Sequence, residues 1–393
     1  MKHITQAVIL AGGQGTRLYP LTLNTPKPMI IINGKPFLEY IVELLKKNGI
    51  TRILLLTGYL HEQIEAYFQD GSKFGLAISY SYSSVKDGTG TRMRKAKKSI
   101  DTTFLLLYAD NYWPLPLDLL YEQYKKKKKD GLVTVYTNVD RYTKNNIFVA
   151  DNDFVTMYDK KNMHTNFNGV DIGFFILKKS VLDLLPGKNC SFEEVMLPKL
   201  IKKKQLIAYR SEHKYYGLSN LERIPLIEKY FSTQKVVFLD RDGVINKKAP
   251  QAHYITRWCD FKFLPGSKKA LQLLQKKGYT IFVVTNQPGV ARSMFTQKQL
   301  DSLHKNLLKV TKKMGVTIKE IFVCTHGWDE GCFCRKPNPG MFFTAAAKYS
   351  FNLYDSYCIG DDERDIIAGQ RAGCKTFRVD SQINLYTIVK NNL

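Results

Sequence analysis

Twice along its length the chain repeats one pattern, an apolar strand-like run that leads directly into a glycine-rich or charged turn. The first run is Ala7–Ala11, which opens onto Gly12, and the second is Val236–Leu239, which opens onto Asp240. After each start, strand-like and helix-like runs alternate. Such alternation predicts a parallel sheet with helices on both faces. The sequence therefore predicts an α/β chain of two doubly wound domains with mainly parallel sheets.

A domain boundary is predicted near residue 233. A helix-like segment, Ile224–Phe231, closes the first part, and three polar residues follow it. We expect a first domain over residues 1–231, a linker over 232–234 and a second domain over 235–393. In doubly wound sheets, ligands bind beyond the carboxyl ends of the strands. Both turns are therefore candidate sites.

The charge of the chain allows two interpretations. It carries 59 Lys and Arg against 35 Asp and Glu, a net charge of +24. Such a charge fits a nucleic-acid partner, or a lysine-rich solvated surface with some cations that bind phosphorylated small molecules. The lysines are scattered and no arginine-rich motif occurs, so we expect small phosphorylated substrates and neither a nucleic acid nor a membrane partner. No apolar run approaches the roughly 18 residues of a membrane span, and no signal-peptide pattern is present, so a cytoplasmic location is expected. The oligomeric state stays open.

The first turn carries a phosphate-binding pattern. Residues 12–18 read Gly-Gly-Gln-Gly-Thr-Arg-Leu, and Pro-Lys-Pro follows at 26–28. Glycines after a strand let backbone N–H groups approach phosphate oxygens, and cations add charge for a triphosphate. The combination resembles the sugar-1-phosphate nucleotidyltransferases, through most of residues 5–231. Candidate residues here are Gly12, Gly13, Gly15 and Thr16 for binding, and Arg17 and Lys27 for catalysis.

That resemblance implies further site residues and a reaction. Gly88 and Thr89 would lie against the base, and Asp110 would hold Mg²⁺. Three further residues would contact the sugar, namely Asn168, Gly169 and Glu193. A sugar-phosphate oxygen would attack the α-phosphorus of a nucleoside triphosphate in line, and pyrophosphate would leave, so that positioning and cationic charge perform the catalysis.

One position departs from the family pattern. Gly217 stands where the family has a second magnesium carboxylate. Glu222 or another carboxylate could substitute, transfer could be slow, or the domain could bind nucleotide-sugars without catalysis.

The second turn carries a different chemistry. Asp240 and Asp242 stand two residues apart at a strand end, Thr285-Asn286-Gln287 ends the next strand, Arg335-Lys336 lies further on, and Asp361 ends the last. This order resembles the haloacid dehalogenase superfamily of phosphatases over residues 235–380.

The resemblance to these phosphatases assigns the roles. Asp240 would attack phosphorus and Asp242 would act as general acid and base. Thr285 and Lys336 would hold the phosphoryl oxygens, with Asp365 orienting Lys336. Mg²⁺ would be bound by the Asp240 carboxylate, a main-chain oxygen at Asp242, and Asp361. Candidate substrate-binding residues are Asn286, Gln287 and Arg335.

Three of the seven cysteines lie within eleven residues, which indicates a metal site rather than a disulfide framework. Cys324, His326, Cys332 and Cys334 fit a closed tetrahedral Zn²⁺ site. The loop, just before Arg-Lys-Pro, resembles that of the heptose-1,7-bisphosphate 7-phosphatases and the related histidinol-phosphatases. Asp362 stands where that family can have a base for a second phosphate. The other four cysteines are expected in the core.

Together the two resemblances predict a bifunctional enzyme of sugar-nucleotide biosynthesis. A 7-phosphatase would release heptose 1-phosphate, and a nucleotidyltransferase would activate it, with GTP as the favoured nucleotide and Mg²⁺ and Zn²⁺ as cofactors. The alternatives are a histidinol-phosphatase or a nucleic-acid 3′-phosphatase, beside a non-catalytic nucleotide-sugar-binding domain.

Overall fold

The computed structural model describes residues 4–159, 166–250 and 253–393. The chain divides into two compact units, Met1–Phe231 and Ser232–Leu393. Within the described residues, no helix combines the length and the apolar character that a bilayer crossing needs.

The first unit is built on a seven-stranded sheet in the order β12-β8-β11-β6-β1-β4-β5. Its strands are β1 Gln6–Ala11, β2 Ile31–Ile32, β3 Lys35–Pro36, β4 Arg52–Thr57, β5 Ala77–Tyr82, β6 Thr103–Tyr108, β7 Asn111–Tyr112, β8 Gly131–Tyr136, β9 Ile147–Val149, β10 Val155–Tyr158, β11 Val170–Lys178, β12 Leu206–Ser211 and β13 Tyr216–Gly217. Its helices are α1 Phe37–Lys47, α2 His61–Phe68, α3 Thr89–Lys95, α4 Leu117–Lys127, α5 Phe192–Lys202 and α6 Ile224–Phe231. Strand β11 runs antiparallel to both neighbours, and the other pairings in this sheet are parallel. Three short antiparallel pairs lie outside it, β2 with β3, β7 with β13 and β9 with β10.

The second unit has a five-stranded, fully parallel sheet in the order β16-β15-β14-β17-β18. Its strands are β14 Val236–Leu239, β15 Thr280–Asn286, β16 Ile318–Cys324, β17 Ser356–Gly360 and β18 Lys375–Arg378. Its helices are α7 Ser267–Lys276, α8 Gln297–Lys313, α9 Gly340–Tyr349, α10 Glu363–Ala372 and α11 Leu385–Asn392.

Strand β14 shows why both apolar runs of the sequence become central strands. Its residues alternate between two core clusters, Val237 and Leu239 with helices α7, α8 and α11, and Val236 and Phe238 with α9 and α10. A strand covered by helices on both faces has no polar side, so its sequence reads as a continuous apolar run. Strand β1 is likewise buried at all six positions.

The predicted fold class is confirmed. Helix α6 begins and ends at the predicted residues. The expectation of four core thiols was wrong for Cys259, which is exposed, while Cys358 and Cys374 are buried. The apolar context around Cys259 forms a local aromatic cluster and leaves the thiol outside it.

Candidate active sites

A cavity of about 440 Å³ opens at the carboxyl ends of β1 and β6 in the first unit. The glycine-rich turn forms one wall, and Gly15 adopts the left-handed region at φ +67°. Its carbonyl accepts a hydrogen bond from the Thr22 hydroxyl at 2.9 Å. The predicted residues that line the cavity are Gly12, Gly13, Gly15, Thr16, Arg17, Lys27, Gly88, Thr89 and Asp110.

Arg92, in helix α3, lies directly beneath the glycine-rich turn. Its side chain is buried, and its guanidinium donates to the carbonyls of Thr57 at 2.8 Å and Gly12 at 3.1 Å and to the Ser83 hydroxyl at 3.0 Å. A β-carbon at Gly12 would lie 2.0 Å from Nη1 of Arg92, and one at Gly58 would lie 2.5 Å from the same atom. Two glycines therefore leave the space that the guanidinium fills.

Asp110 and Lys27 meet across the cavity as an ion pair. Gly217 lies beside them, because β13 pairs with β7 and places Gly217 opposite Asn111. A β-carbon at Gly217 would lie 2.7 Å from Oδ1 of Asn111 and 3.7 Å from the Asp110 carbonyl oxygen. Within the described residues, Asp110 belongs to no group of three or more potential metal ligands.

The predicted sugar-binding residues have different positions. Glu193 is buried behind the cavity wall, where it accepts hydrogen bonds from Thr89 at 2.8 Å and from Tyr108. It holds two residues that do line the cavity. The Asn168 side-chain amide donates a hydrogen bond to the Val149 carbonyl at 2.8 Å and accepts one from the Val149 N–H at 2.9 Å. Neither Asn168 nor Gly169 lines this cavity.

A second cavity of about 440 Å³ opens at the carboxyl ends of β14, β15 and β17. Lys336 lies at its floor, with Nζ 2.7 Å from Asp240 Oδ1 and 2.6 Å from Asp365 Oδ1. Burial raises the pKa of Asp240, and the Lys336 charge opposes that shift. Asp365 also accepts a hydrogen bond from the Asp362 amide at 3.1 Å, so it orients both the lysine and the loop.

Asp242 is held on both carboxylate oxygens. Arg241 and Gln287 donate to Oδ2 at 2.7 Å each, and Asn246 donates to Oδ1 at 2.8 Å. Burial favours the neutral acid, but the Arg241 charge and these hydrogen bonds outweigh it and lower the pKa of Asp242. Gln287 also donates to the Thr285 hydroxyl at 2.9 Å.

The acidic side chains of this cavity suit a hard cation. Carboxylate oxygens of Asp240, Asp361 and Asp365 lie within 4.8 Å of one another. Oδ1 of Asp361 is buried without a hydrogen-bond partner, while Oδ2 accepts from Lys248 at 2.7 Å. A buried carboxylate oxygen without a donor is a ready ligand for Mg²⁺, which takes oxygen ligands. At Gly243, with φ +95°, a β-carbon would lie 2.2 Å from Asp361 Oδ2, so the turn must be glycine there.

The four predicted zinc ligands converge at the end of β16. Cys324 Sγ lies 3.6 Å from Nδ1 of His326 and 3.6 Å from Sγ of Cys332. Cys334 Sγ lies 3.2 Å from the same Nδ1 and 3.5 Å from Cys332 Sγ. A tetrahedron with metal–sulfur distances of about 2.3 Å has edges of roughly 3.8 Å. The cluster therefore has the size and the donor set of a structural zinc site.

Cations surround the mouth of the second cavity. Arg364 contacts Asp362 through two hydrogen bonds, at 2.8 and 2.9 Å, and both residues line the cavity. Besides Lys336 on the floor, the other lining residues that carry a Lys or Arg charge are Lys248, Arg292 and Arg335. Asp362 therefore orients Arg364. A basic side chain is present at the mouth of the cavity, although position 362, where the phosphatase family can have a base, is acidic.

A family model described as nucleotidyl transferase matches residues 6–260. The chain belongs to the nucleotidyl transferase family. The match passes Phe231, the end of the first unit, and includes β14, which is the central strand of the second sheet. A HAD-hydrolase-like family matches residues 333–386.

Curated proteins similar to part of this chain include phosphatases. The chain is 35% identical over 159 residues to D-glycero-beta-D-manno-heptose-1,7-bisphosphate 7-phosphatase of Bordetella bronchiseptica, covering 40% of this chain and 88% of the relative. It is 39% identical over 172 residues to D-glycero-alpha-D-manno-heptose-1,7-bisphosphate 7-phosphatase of Photorhabdus laumondii, covering 40% and 92%. The chain thus also belongs with these HAD-like phosphatases.

Two further likenesses concern the transferase fold. The chain is 28% identical over 268 residues to mannose-1-phosphate guanyltransferase of Debaryomyces hansenii, covering 66% of this chain and 70% of the relative. A solved structure described as a glucose-1-phosphate thymidylyltransferase from Bacillus anthracis has a TM-score of 0.52 at 18% identity, over 57% of this chain and 93% of that chain. This structural likeness shows the shared fold.

The sequence analysis of this chain did not predict several residues of these two sites. They are Arg92 in the first unit and Arg241, Lys248, Arg292 and Arg364 in the second. Arg92 follows directly on Gly88-Thr89-Gly90-Thr91, so its place in the glycine-rich segment was a usable signal. Nothing in the sequence around Arg292 or Lys248 distinguishes them from surface cations.

Proposed function

We propose that the second unit removes the 7-phosphate of heptose 1,7-bisphosphate and that the first unit transfers a nucleotidyl group to the resulting sugar 1-phosphate. The observation that carries this proposal is the cluster of Lys336 with Asp240 and Asp365, with Asp242 beside it, in a chain whose phosphatase relatives are named for that substrate. The relatives include both anomers, and the proposal covers either one.

The chemistry of the second unit follows from the positions of its side chains. Asp240 attacks phosphorus, and an aspartyl-phosphate forms as the bond to the sugar oxygen breaks. Because the pKa of Asp242 is lowered, its carboxylate must first take up a proton from solvent. It then gives this proton to the sugar oxygen and later takes one from the water that hydrolyses the aspartyl-phosphate. Lys336 and the Thr285 hydroxyl hold the phosphoryl oxygens. The cations at the mouth, among them Arg292 and Arg364, can hold the phosphate that stays on the sugar.

Two metals are part of the proposal. Asp240, Asp361 and a main-chain oxygen at Asp242 would hold Mg²⁺, which reduces the repulsion between an anionic nucleophile and an anionic phosphate. The orphaned oxygen of Asp361 supports this assignment. Cys324, His326, Cys332 and Cys334 would hold Zn²⁺, which stabilises the loop in front of Lys336.

The first unit would act by positioning. Backbone N–H groups of the glycine-rich turn, with Arg17 and Lys27, would hold the triphosphate, and Gly88-Thr89 would lie against the base. Asp110 would hold Mg²⁺ alone, because Gly217 brings no second carboxylate. The guanyltransferase relative supports GTP as the nucleotide. The relatives named above act on heptose bisphosphates and mannose 1-phosphate, which favours sugar phosphates over histidinol phosphate or a nucleic-acid 3′-phosphate as substrates.

The test uses the purified full chain with candidate sugar bisphosphates and each of the four nucleoside triphosphates, followed by mass spectrometry. We expect phosphate release from heptose 1,7-bisphosphate and a GDP-sugar when GTP is present. Asp240→Asn should lower phosphate release by several orders of magnitude and leave transfer to heptose 1-phosphate intact. Asp260→Asn, which changes a half-exposed carboxylate of the same unit, should leave both activities intact. Near-normal phosphate release in Asp240→Asn would contradict the aspartyl-phosphate mechanism.

A further inference from the structure

Arg241, between the two catalytic aspartates, is the most deeply buried cation of the second unit's site. Its exposed fraction is 0%, and it does not line the cavity. Asp240 and Asp242 face the cavity from either side of it, so the backbone turns the Arg241 side chain the other way, toward α8. A buried guanidinium is costly unless it is paired and hydrogen-bonded.

Two contacts offset the cost of burying the Arg241 charge. Nη2 of Arg241 donates to Oδ2 of Asp242 at 2.7 Å, and Nη1 lies 2.9 Å from Nε2 of His304. Within the described part of the chain, Asp242 is the one carboxylate that forms an ion pair with Arg241. The guanidinium is therefore committed to Asp242 on one side and to helix α8 on the other.

The contact with His304 fixes the state of that imidazole. A guanidinium has donors and no acceptor, so Nε2 of His304 must accept the hydrogen bond and the ring must be neutral. Burial, and next the Arg241 charge, lower the pKa of His304 to about 4, which agrees with a neutral ring at neutral pH. His304 is 8% exposed and lies on the buried face of α8 with Leu300, Leu303 and Leu307.

We propose that Arg241 and His304 are positioning residues of the phosphatase: His304 holds the Arg241 guanidinium, and Arg241 holds the Asp242 carboxylate in the orientation that exchanges a proton with the leaving oxygen. The proposal rests on the proposed phosphatase function. Gln287 and Asn246 also hold Asp242, but both are neutral amides. Arg241 supplies the charged contact, and a hydrogen bond from an ionised donor to a carboxylate is stronger than one from a neutral amide.

Asp242 acts in both steps, but the hydrolysis of the aspartyl-phosphate is common to all substrates, so the first step is the one in which two substrates can differ. The bond between Asp240 and phosphorus forms while the bond to the sugar oxygen breaks, and Asp242 gives its proton to that oxygen. A sugar alkoxide is a poor leaving group and needs the proton. A p-nitrophenolate is a stabilised anion and leaves without it. Mispositioning Asp242 therefore slows release from a sugar phosphate far more than release from p-nitrophenyl phosphate.

The experiment compares the two substrates in matched variants of the full chain. Arg241→Gln should lower the single-turnover rate of leaving-group release from the sugar bisphosphate about 10²-fold, a typical size for general acid catalysis, with the single-turnover rate of p-nitrophenolate release within about 3-fold. His304→Leu should lower the single-turnover rate of leaving-group release from the sugar bisphosphate about 10-fold, and His304→Gln, whose amide oxygen can accept from Arg241, should restore it to within about 3-fold of the native chain. KM should change little, because neither residue lines the cavity.

Two controls separate positioning from loss of structure. Leu303→Ala makes a hole in the same face of α8 without touching Arg241, and it should change both substrates equally. Lys305→Ala changes the exposed neighbour of His304 and should change neither. Equal losses on both substrates in Arg241→Gln and His304→Leu would overturn the proposal, as would a His304→Gln variant that behaves like His304→Leu.

A readout without turnover separates this proposal from the proposed function. Thermal unfolding of Arg241→Gln, His304→Leu and the double variant forms a cycle, and we expect the two single shifts in Tm to be strongly non-additive. Additive shifts would overturn the coupling that the proposal needs. A native chain that hydrolyses neither substrate would refute the phosphatase function, and the same cycle would still decide whether His304 holds Arg241.

Discussion

Replacing Gly12 by Ala should destabilise the first unit far more than the same change at its neighbour Gly13. The new β-carbon at position 12 would lie 2.0 Å from Nη1 and 2.4 Å from Cζ of Arg92. The guanidinium cannot retreat toward Gly58, because a β-carbon there would already lie 2.5 Å from Nη1. Arg92 must therefore leave its place beneath the turn.

The magnitude follows from the contacts that Arg92 gives up. Its hydrogen bonds to Thr57, Ser83 and Gly12 come from a charged donor, and each such bond contributes about 1.5–3 kcal/mol. Relaxation and water recover part of that sum, so we expect a loss of about 3–5 kcal/mol. For a unit of this size, about 1 kcal/mol shifts Tm by roughly 2–4 °C, so the expected shift is about 10 °C.

Differential scanning calorimetry of the full chain measures this shift, with phosphatase activity as an internal check on the second unit. A β-carbon at Gly13 meets no atom within 4 Å, so Gly13→Ala should change the unfolding free energy by less than about 1 kcal/mol. Nucleotide binding should be lost in Gly12→Ala, because the turn carries the phosphate-binding N–H groups. Equal Tm values for the two variants would refute the packing of Arg92 beneath Gly12.

Three further predictions concern the metals and the effect of pH. Metal analysis of the purified chain should find about one Zn²⁺ per molecule. Cys332→Ser should lower the Tm of the second unit only. A zinc-free protein purified without any chelator would contradict the zinc assignment. Gly217→Asp should lower the Mg²⁺ concentration needed for nucleotidyl transfer, because the new β-carbon would crowd only the Asn111 side chain and would lie 3.7 Å from the carbonyl oxygen of Asp110; an unchanged Mg²⁺ requirement would show that position 217 is not at the metal site. Burial lowers the pKa of His213 and of His304 from 6.5 to about 4, so each unit should lose about 3 kcal/mol of unfolding free energy as pH falls from about 6.5 to about 4. The unfolded chain binds these protons first, and His304→Gln and His213→Gln should each flatten the dependence for their own unit in urea titrations.

The sequence by itself determined the features that depend on local order along the chain. The apolar runs at β1 and β14 predicted buried strands, and the turns after them predicted where chemistry lies, because strand ends at one sheet edge converge whatever the loops between them do. The convergence of Cys324, His326, Cys332 and Cys334, and the placing of Asp240 with Asp242 at one cavity, could be predicted because their spacing along the chain is itself the geometric signal. No pattern in the sequence predicted that β11 runs antiparallel to its neighbours.

Only the tertiary structure decided which distant residues share a site. Arg92 meets the carbonyl of Gly12 across 80 positions, and Arg241 meets His304 across 63. Asn168, chosen from its place in the sequence, instead pairs with the β9 backbone. Such contacts depend on strand order and on which side chain fills a space left by glycine, and both are set by packing between segments that are far apart in sequence. A buried cation looks like any surface cation until the fold removes water from around it.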